Sequence, residues 1–180
     1  MANYVTPKYL KKDDIKRIRD NLNMTQKEFA DFVGCSKRTV ERWESLNDDI
    51  TGPIVTLVDI LMRNNDLVEQ MQLPPQRLKL RLYYMYHSMV CTIIDIDEIE
   101  RKVKIQNYTR NLLYRAFGVN TEPTFEDYEE FLESRCFPRT RDKMKIELKM
   151  LDIPFYDPLM IIEKTQGRMA DDDFWIKIER

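Results

Sequence analysis

Glycine is scarce in this chain of 180 residues, with only Gly34, Gly52, Gly118 and Gly167, so there is no glycine-rich loop to cradle a phosphate. A single histidine, His87, and three widely separated cysteines, Cys35, Cys91 and Cys136, exclude finger and ribbon patterns for zinc and predict reduced thiols packed in or near cores. No apolar run approaches the ~20 residues needed to cross a bilayer. The N-terminal MANYVTPKYLKK lacks the apolar centre of a signal peptide, which predicts a cytoplasmic protein without a membrane partner. Positive charge is also lacking overall, at a formal −2, whereas nucleic-acid binders are commonly basic.

What is there is a soluble globular composition, 43% hydrophobic and 33% charged. Charge is unevenly placed. Between Lys8 and Arg42 ten Lys and Arg face six acids, a local +4 that can neutralise phosphates. In the same region Ile15, Ile18 and Leu22 recur at helical spacing behind Asp13 and Asp14, predicting a helix from Lys12 to about Asn21. Thr25 with Glu28 three residues on forms a capping box before Phe29, Ala30 and Val33. Gly34 then supplies a left-handed stop, and Ser36 caps a helix that buries Val40 and Trp43 while Lys37, Arg38, Glu41 and Arg42 face outward. Small Ala30 permits a close crossing, so the pair reads as a helix-turn-helix. Pro53 opens a further helix through Met62, a turn or two follows from Asp66 to Met71, and Leu73-Pro74-Pro75 marks a boundary.

Met24-Thr25-Gln26, Phe29-Ala30, Gly34, Ser36, Thr39-Val40 and Trp43-Glu44 resemble the Xre/Cro-type helix-turn-helix of phage repressors and many antitoxins, over residues 10–65. The resemblance implies that Lys37, Arg38 and Arg42 read base edges, that Gln26, Ser36 and Thr39 lie on the DNA backbone, and that Trp43 is core. Arg and Lys suit guanine O6 and N7, so a G-containing half-site is expected. Where that family places a glycine and a basic residue after the recognition helix, this chain has an acidic loop, and Asp48 and Asp49 would repel a phosphate backbone they faced.

From Leu78 the period changes to two, predicting antiparallel strands at about 79–86, 90–96 and 102–107; a helix over Arg77 to Met89 is the alternative. Helices are expected at Thr109–Phe117, Phe125–Ser134 behind Thr124, Thr140–Leu151, and from Pro158 behind Asp157, with a closing strand at Phe174–Ile178. The fold class is therefore α+β: an all-α helix-turn-helix domain, residues 1–72, then an antiparallel sheet with helices, residues 73–180, for dimerisation or partner binding. Arg135, Pro138 and Arg141, with Asp173-Phe174-Trp175-Ile176-Lys177 closing the chain, resemble a segment of HipA-type toxin modules, R-x-I-P-x-x-R followed by D-x-[YF]-W-I-K. That likeness implies a toxin–antitoxin or mobile-element setting and a protein partner, without carrying over a kinase.

Arg135, Arg139, Arg141 and Lys143 form a second basic run, readable as a further DNA-backbone or partner surface or as a solvated helix start. Asp95 and Asp97 share a strand face, the spacing of a Mg²⁺ nuclease, yet no histidine or lysine pattern accompanies them, so neither enzyme, metal nor cofactor is expected. Tyr83, Tyr84 and Tyr86 read as sheet packing. Two functions follow: a homodimeric DNA-binding regulator, the antitoxin or autorepressor of a small operon, beside a toxin or other protein encoded nearby; or a protein-interaction module such as a phage-encoded inhibitor of a host defence complex.

Overall fold

The computed structural model describes residues 4–64, 66–75, 78–140 and 142–180, and the chain divides into two compact units, Met1–Leu73 and Pro74–Arg180. Unit 1 is helical: α1 (Lys12–Asn21), α2 (Gln26–Val33), α3 (Lys37–Ser45), α4 (Pro53–Arg63) and the short α5 (Leu67–Met71). Its core gathers one stripe from each long helix, with Ile15 and Ile18, Phe29 and Ala30, Val40, and Val58 and Leu61 all buried. Leu10 and Ile50 exchange two backbone hydrogen bonds of 2.9 Å, tying the segment before α1 to the loop after α3.

Unit 2 is built on four antiparallel strands, β1 (Leu80–Tyr86), β2 (Met89–Asp97), β3 (Lys102–Asn107) and β4 (Phe174–Glu179), in the order β3-β2-β1-β4. The helical alternative for Arg77 to Met89 does not form over the described part, because the alternating leucines and tyrosines find partners on both sides: Tyr84 opposes Thr92 and Ile176. The closing strand returns beside β1, as its alternation predicts. One face of the sheet, with Leu82, Tyr84, Ile94, Ile96 and Ile176, packs on α6 (Phe125–Ser134), α7 (Met144–Met150) and α8 (Pro158–Thr165). Tyr84 stacks on Phe174 at 4.9 Å and meets Phe131 edge-on at 5.2 Å. No helix among the described residues is long and apolar enough to cross a membrane. Cys91 and Cys136 are buried, and burial pushes the Cys136 thiol up to about 12.

Two expected helices are shorter than their sequence pattern. Thr109–Phe117 yields only a single 3-10 turn, Leu112–Tyr114. Thr109 and Asn111 side chains accept the Asn111 and Leu113 amides, at 3.1 Å each, and so compete with the helical ladder. Thr140–Leu151 begins only at Met144, where the Lys143 carbonyl becomes the first acceptor. Lys143 stands at the positive end of that helix, where a cation is disfavoured.

Of the expected second basic surface, Arg135 is not available. Arg135 is buried: its Nε donates to the Gly167 carbonyl at 3.0 Å, its Nη atoms grip Asp172 at 2.6 and 3.0 Å, and Nη2 also reaches the Phe174 carbonyl at 3.0 Å. Gly167, at φ +60°, passes so close that an added Cβ would lie 3.3 Å from the Arg135 Cβ and the Ile176 Cδ1. Arg139 is exposed and pairs with Glu133 while lying over the Tyr156 ring at 4.8 Å; Lys143 is exposed, and Arg141 falls outside the described residues.

Asp95 is likewise committed, gripped by its cross-strand neighbour Arg81 at 2.7 and 2.8 Å, while Arg81 also donates to the Pro74 carbonyl at 2.7 Å. Asp97 accepts the Ile99 and Glu100 amides at 3.0 and 3.1 Å and pairs with Lys79 at 3.2 Å. The Glu100 amide contributes most to holding its carboxyl below the usual range.

Arg135→Ala strands the Asp172 carboxylate and two backbone carbonyls, and should cost unit 2 about 3 kcal/mol. Arg135→Lys should recover little of this, since an ammonium cannot reproduce the fork. Urea unfolding followed by tryptophan fluorescence reads both, and a loss under about 1 kcal/mol in Arg135→Ala would contradict this role.

Candidate nucleic-acid interface

Local chemistry sets the turn between α2 and α3. The Thr25 hydroxyl accepts the Glu28 amide at 3.2 Å, and the Glu28 carboxylate accepts the Thr25 amide at 2.7 Å. These bonds hold the Glu28 carboxyl below its ordinary value. At the other end Gly34 adopts φ +72°, ψ +35°, and the Cys35 amide reaches back to the Ala30 carbonyl at 2.9 Å. The chain can then re-enter a helix at once. The Ser36 hydroxyl accepts the Thr39 amide at 3.2 Å and lies 2.9 Å from the Thr39 hydroxyl.

A buried charge pair locks α3 against α1 and α2. The Glu44 carboxylate takes the Arg19 Nε at 2.6 Å on one oxygen and the Gln26 amide at 2.8 Å on the other. Arg19 also donates to the Met24 carbonyl at 3.0 Å, at the end of α1. Burial alone would raise the Glu44 pKa, but the bonds from Arg19 and Gln26 outweigh it and hold the carboxyl below its usual range. Trp43, expected in the core, is only half-buried, and Glu44 takes the inward place. From Val40 a four-residue step turns about 40° and a three-residue step about 60° the other way, so both positions border the core. Arg19 and Gln26 decide for Glu44.

The outward face of α3 borders a groove of about 660 Å³ lined by Ser36, Arg38, Thr39, Arg42, Ser45 and Leu46 among others. Lys37, Arg38 and Arg42 are all exposed, as their positions predict, but they are not equivalent. Lys37 pairs with Glu41 one turn on, at 3.0 Å. Arg38 and Arg42, also one turn apart, have guanidinium groups with no partner among the described residues. Gln26 is half-buried with one N–H of its side-chain amide on Glu44, leaving the other N–H and the carbonyl oxygen. Ser36 is exposed and Thr39 half-buried, their hydroxyls sharing one contact. In the acidic loop, Asp49 is drawn to Lys11 at 2.5 Å, which offsets one of the two negative charges and withdraws Lys11 from other anions. The Arg19–Glu44–Gln26 set escaped sequence reading; its only trace is an acid at the inward edge of a stripe.

Glu44→Ala removes the inner partner of Arg19, which keeps Asp20 at 2.8 Å, and leaves the Gln26 amide without its acceptor; unit 1 should lose about 2 kcal/mol. Because the folded-state pKa of Glu44 is depressed, its contribution is complete above the unfolded value of about 4.3 and is lost as pH falls through the folded value. Thermal melts from pH 7 to pH 3 should therefore fall less steeply in Glu44→Gln than in the parent. Equal slopes would remove Glu44 as a source of acid sensitivity.

Comparison with curated proteins and with solved structures returns no match. Among protein families, residues 15–56 match the family described as Helix-turn-helix, from the middle of α1 through α2 and α3 to the first turn of α4. Unit 1 thus carries a DNA-binding helix-turn-helix of the Xre type.

Proposed function

We propose that the chain is a sequence-specific, cytoplasmic DNA-binding transcriptional regulator that works as a homodimer, and that it is the antitoxin or autorepressor of a toxin–antitoxin or mobile-element operon. The observation that carries this reading is the pair Arg38 and Arg42, unpartnered and one turn apart on the exposed face of a helix locked at its inner side. Such a helix presents two bidentate forks to a major groove. A second copy would double the contact at half-sites about 34 Å apart. For the operon setting, support comes from the two HipA-like phrases, which converge: Arg135 of the first bonds Asp172 and the Phe174 carbonyl beside the second. The proposal is of a binding protein rather than an enzyme, since Asp95 and Asp97 are spoken for by Arg81 and Lys79.

Fluorescence anisotropy against the chain's own promoter tests the DNA-reading part. Arg38→Ala and Arg42→Ala should each lose about 1–3 kcal/mol, roughly 5- to 150-fold in Kd, and relax the preference for guanine. Lys37→Ala should lose less, because Glu41 already shares its charge. Affinity should fall with salt at a log–log slope near −0.9 per phosphate neutralised. Binding untouched by both arginine substitutions would refute the assignment of α3.

A further inference from the structure

The sheet of unit 2 has two edges, β3 and β4, and they are not treated alike. In an antiparallel ladder alternate residues turn their N–H and C=O to one neighbouring strand, and the residues between turn theirs to the other side. The Tyr108 amide reaches the Cys91 carbonyl at 2.9 Å in continuation of the β2–β3 register, so Lys102, Lys104 and Gln106 face β2 while Val103, Ile105 and Asn107 face outward. The same alternation, carried across β2 and β1, makes Ile176 and Ile178 the outward residues of β4. There the Ile176 amide donates to the Gln166 carbonyl at 2.7 Å, so the turn after α8 sits against that edge.

Along β3 nothing among the described residues hydrogen-bonds the outward N–H and C=O groups of Val103, Ile105 and Asn107. A bare edge is a template for a further strand, and proteins commonly block one with proline, a bulge or a covering segment. β3 contains no proline, and its register with β2 is unbroken. Lys102 and Lys104 are the residues that could deter a partner. Lys102 is held by Glu100 at 2.5 Å, and Lys104 stands opposite Asp95 across the sheet. Both lie on the face away from the helices, whereas Val103 and Ile105 pack on the helix side.

We propose that β3 of a second copy pairs antiparallel with this edge about a two-fold axis through Ile105, joining the two sheets into one; this rests on the homodimer of the proposed regulator and names its interface. The residues select the register. With Ile105 opposite itself, Val103 pairs with Asn107 of the partner subunit and Asn107 with Val103 of the partner subunit, so every outward group of the strand gains a bond. Lys104 then stands opposite Gln106 of the partner subunit, a donor against an acceptor. Centring the axis on Lys104 would set two lysines against each other, which is destabilising. Centring it on Gln106 would carry Val103 past the end of the partner strand. The charge pattern of β3 therefore fits a copy of itself in the one register that also satisfies its backbone.

Sedimentation equilibrium on the full chain, without DNA, tests this. Gln106→Glu places a carboxylate opposite Lys104 at two symmetric points and should tighten the dimer about 5-fold at low salt, and Gln106→Lys should loosen it by about as much. Ile105→Pro removes the amide on the axis at an edge position that tolerates proline, and should lower the association constant at least ~10-fold. If that variant fails to fold by circular dichroism, the Gln106 pair decides alone. A chain that stays monomeric at micromolar concentration, or a dimer indifferent to both Gln106 substitutions, would overturn the interface whether or not the promoter is bound. A dimer that follows them yet binds no promoter would uphold the interface and refute the regulator.

Discussion

The pairing of Arg19 with Glu44 fixes the geometry on which the proposed DNA reading depends. A carboxylate that turns inward on α3 must find counter-charge and donors, and α1 and α2 each supply one. Satisfying it leaves α3 little freedom to roll, so the azimuth of Arg38 and Arg42 is set from behind. The same device recurs in unit 2. Arg81 joins Asp95 to the Pro74 carbonyl, and Arg135 joins Asp172 to the carbonyls of Gly167 and Phe174. In all three the guanidinium is a fork with one tine on a carboxylate and another on backbone, which a lysine cannot imitate.

Arginine thus has two employments in this chain. Inside, it staples elements distant in sequence; on α3 it is left without an internal partner and free to meet an external one. This division explains why an overall acidic protein can still present a reading surface. Several acids are occupied within the chain: Asp49 by Lys11, Glu41 by Lys37, Asp97 by backbone amides and Lys79. Others, such as Asp48 in the loop after α3 and Glu126 and Glu130 on α6, have no partner among the described residues.

What could be read in advance was whatever is written locally. Thr25 with Glu28, Gly34 and Ser36 act within a few residues of themselves, and each behaves as its position predicts. The strands were legible because a period of two persists through Leu80, Leu82 and Tyr84, and again in the closing Phe174-Trp175-Ile176. Long-range polar pairs left no such mark. Arg135 and Asp172 are 37 residues apart and Arg19 and Glu44 25, so nothing in the sequence joins either pair. Trp43 is expected in the core because hydrophobicity is visible from one residue, whereas the salt bridge that draws Glu44 inward is visible only from two. At Thr109–Phe117 the apolar spacing was real, but the side chains of Thr109 and Asn111 took the amides that a helix needed.

The position of β4 bears on how the chain comes off the ribosome. The core of unit 1 is drawn from residues between Leu10 and Val68, so it can form as soon as α5 has emerged. Unit 2 cannot follow piecemeal, because β1, its first strand, lies between β2 and β4, and β4 comes after every other described element of the unit. Until then one edge of β1 stays open and Arg135 lacks Asp172 and the Phe174 carbonyl. During that interval a nascent chain carries a finished DNA-reading unit ahead of an unfinished second one. A premature stop before Phe174 would make that imbalance permanent.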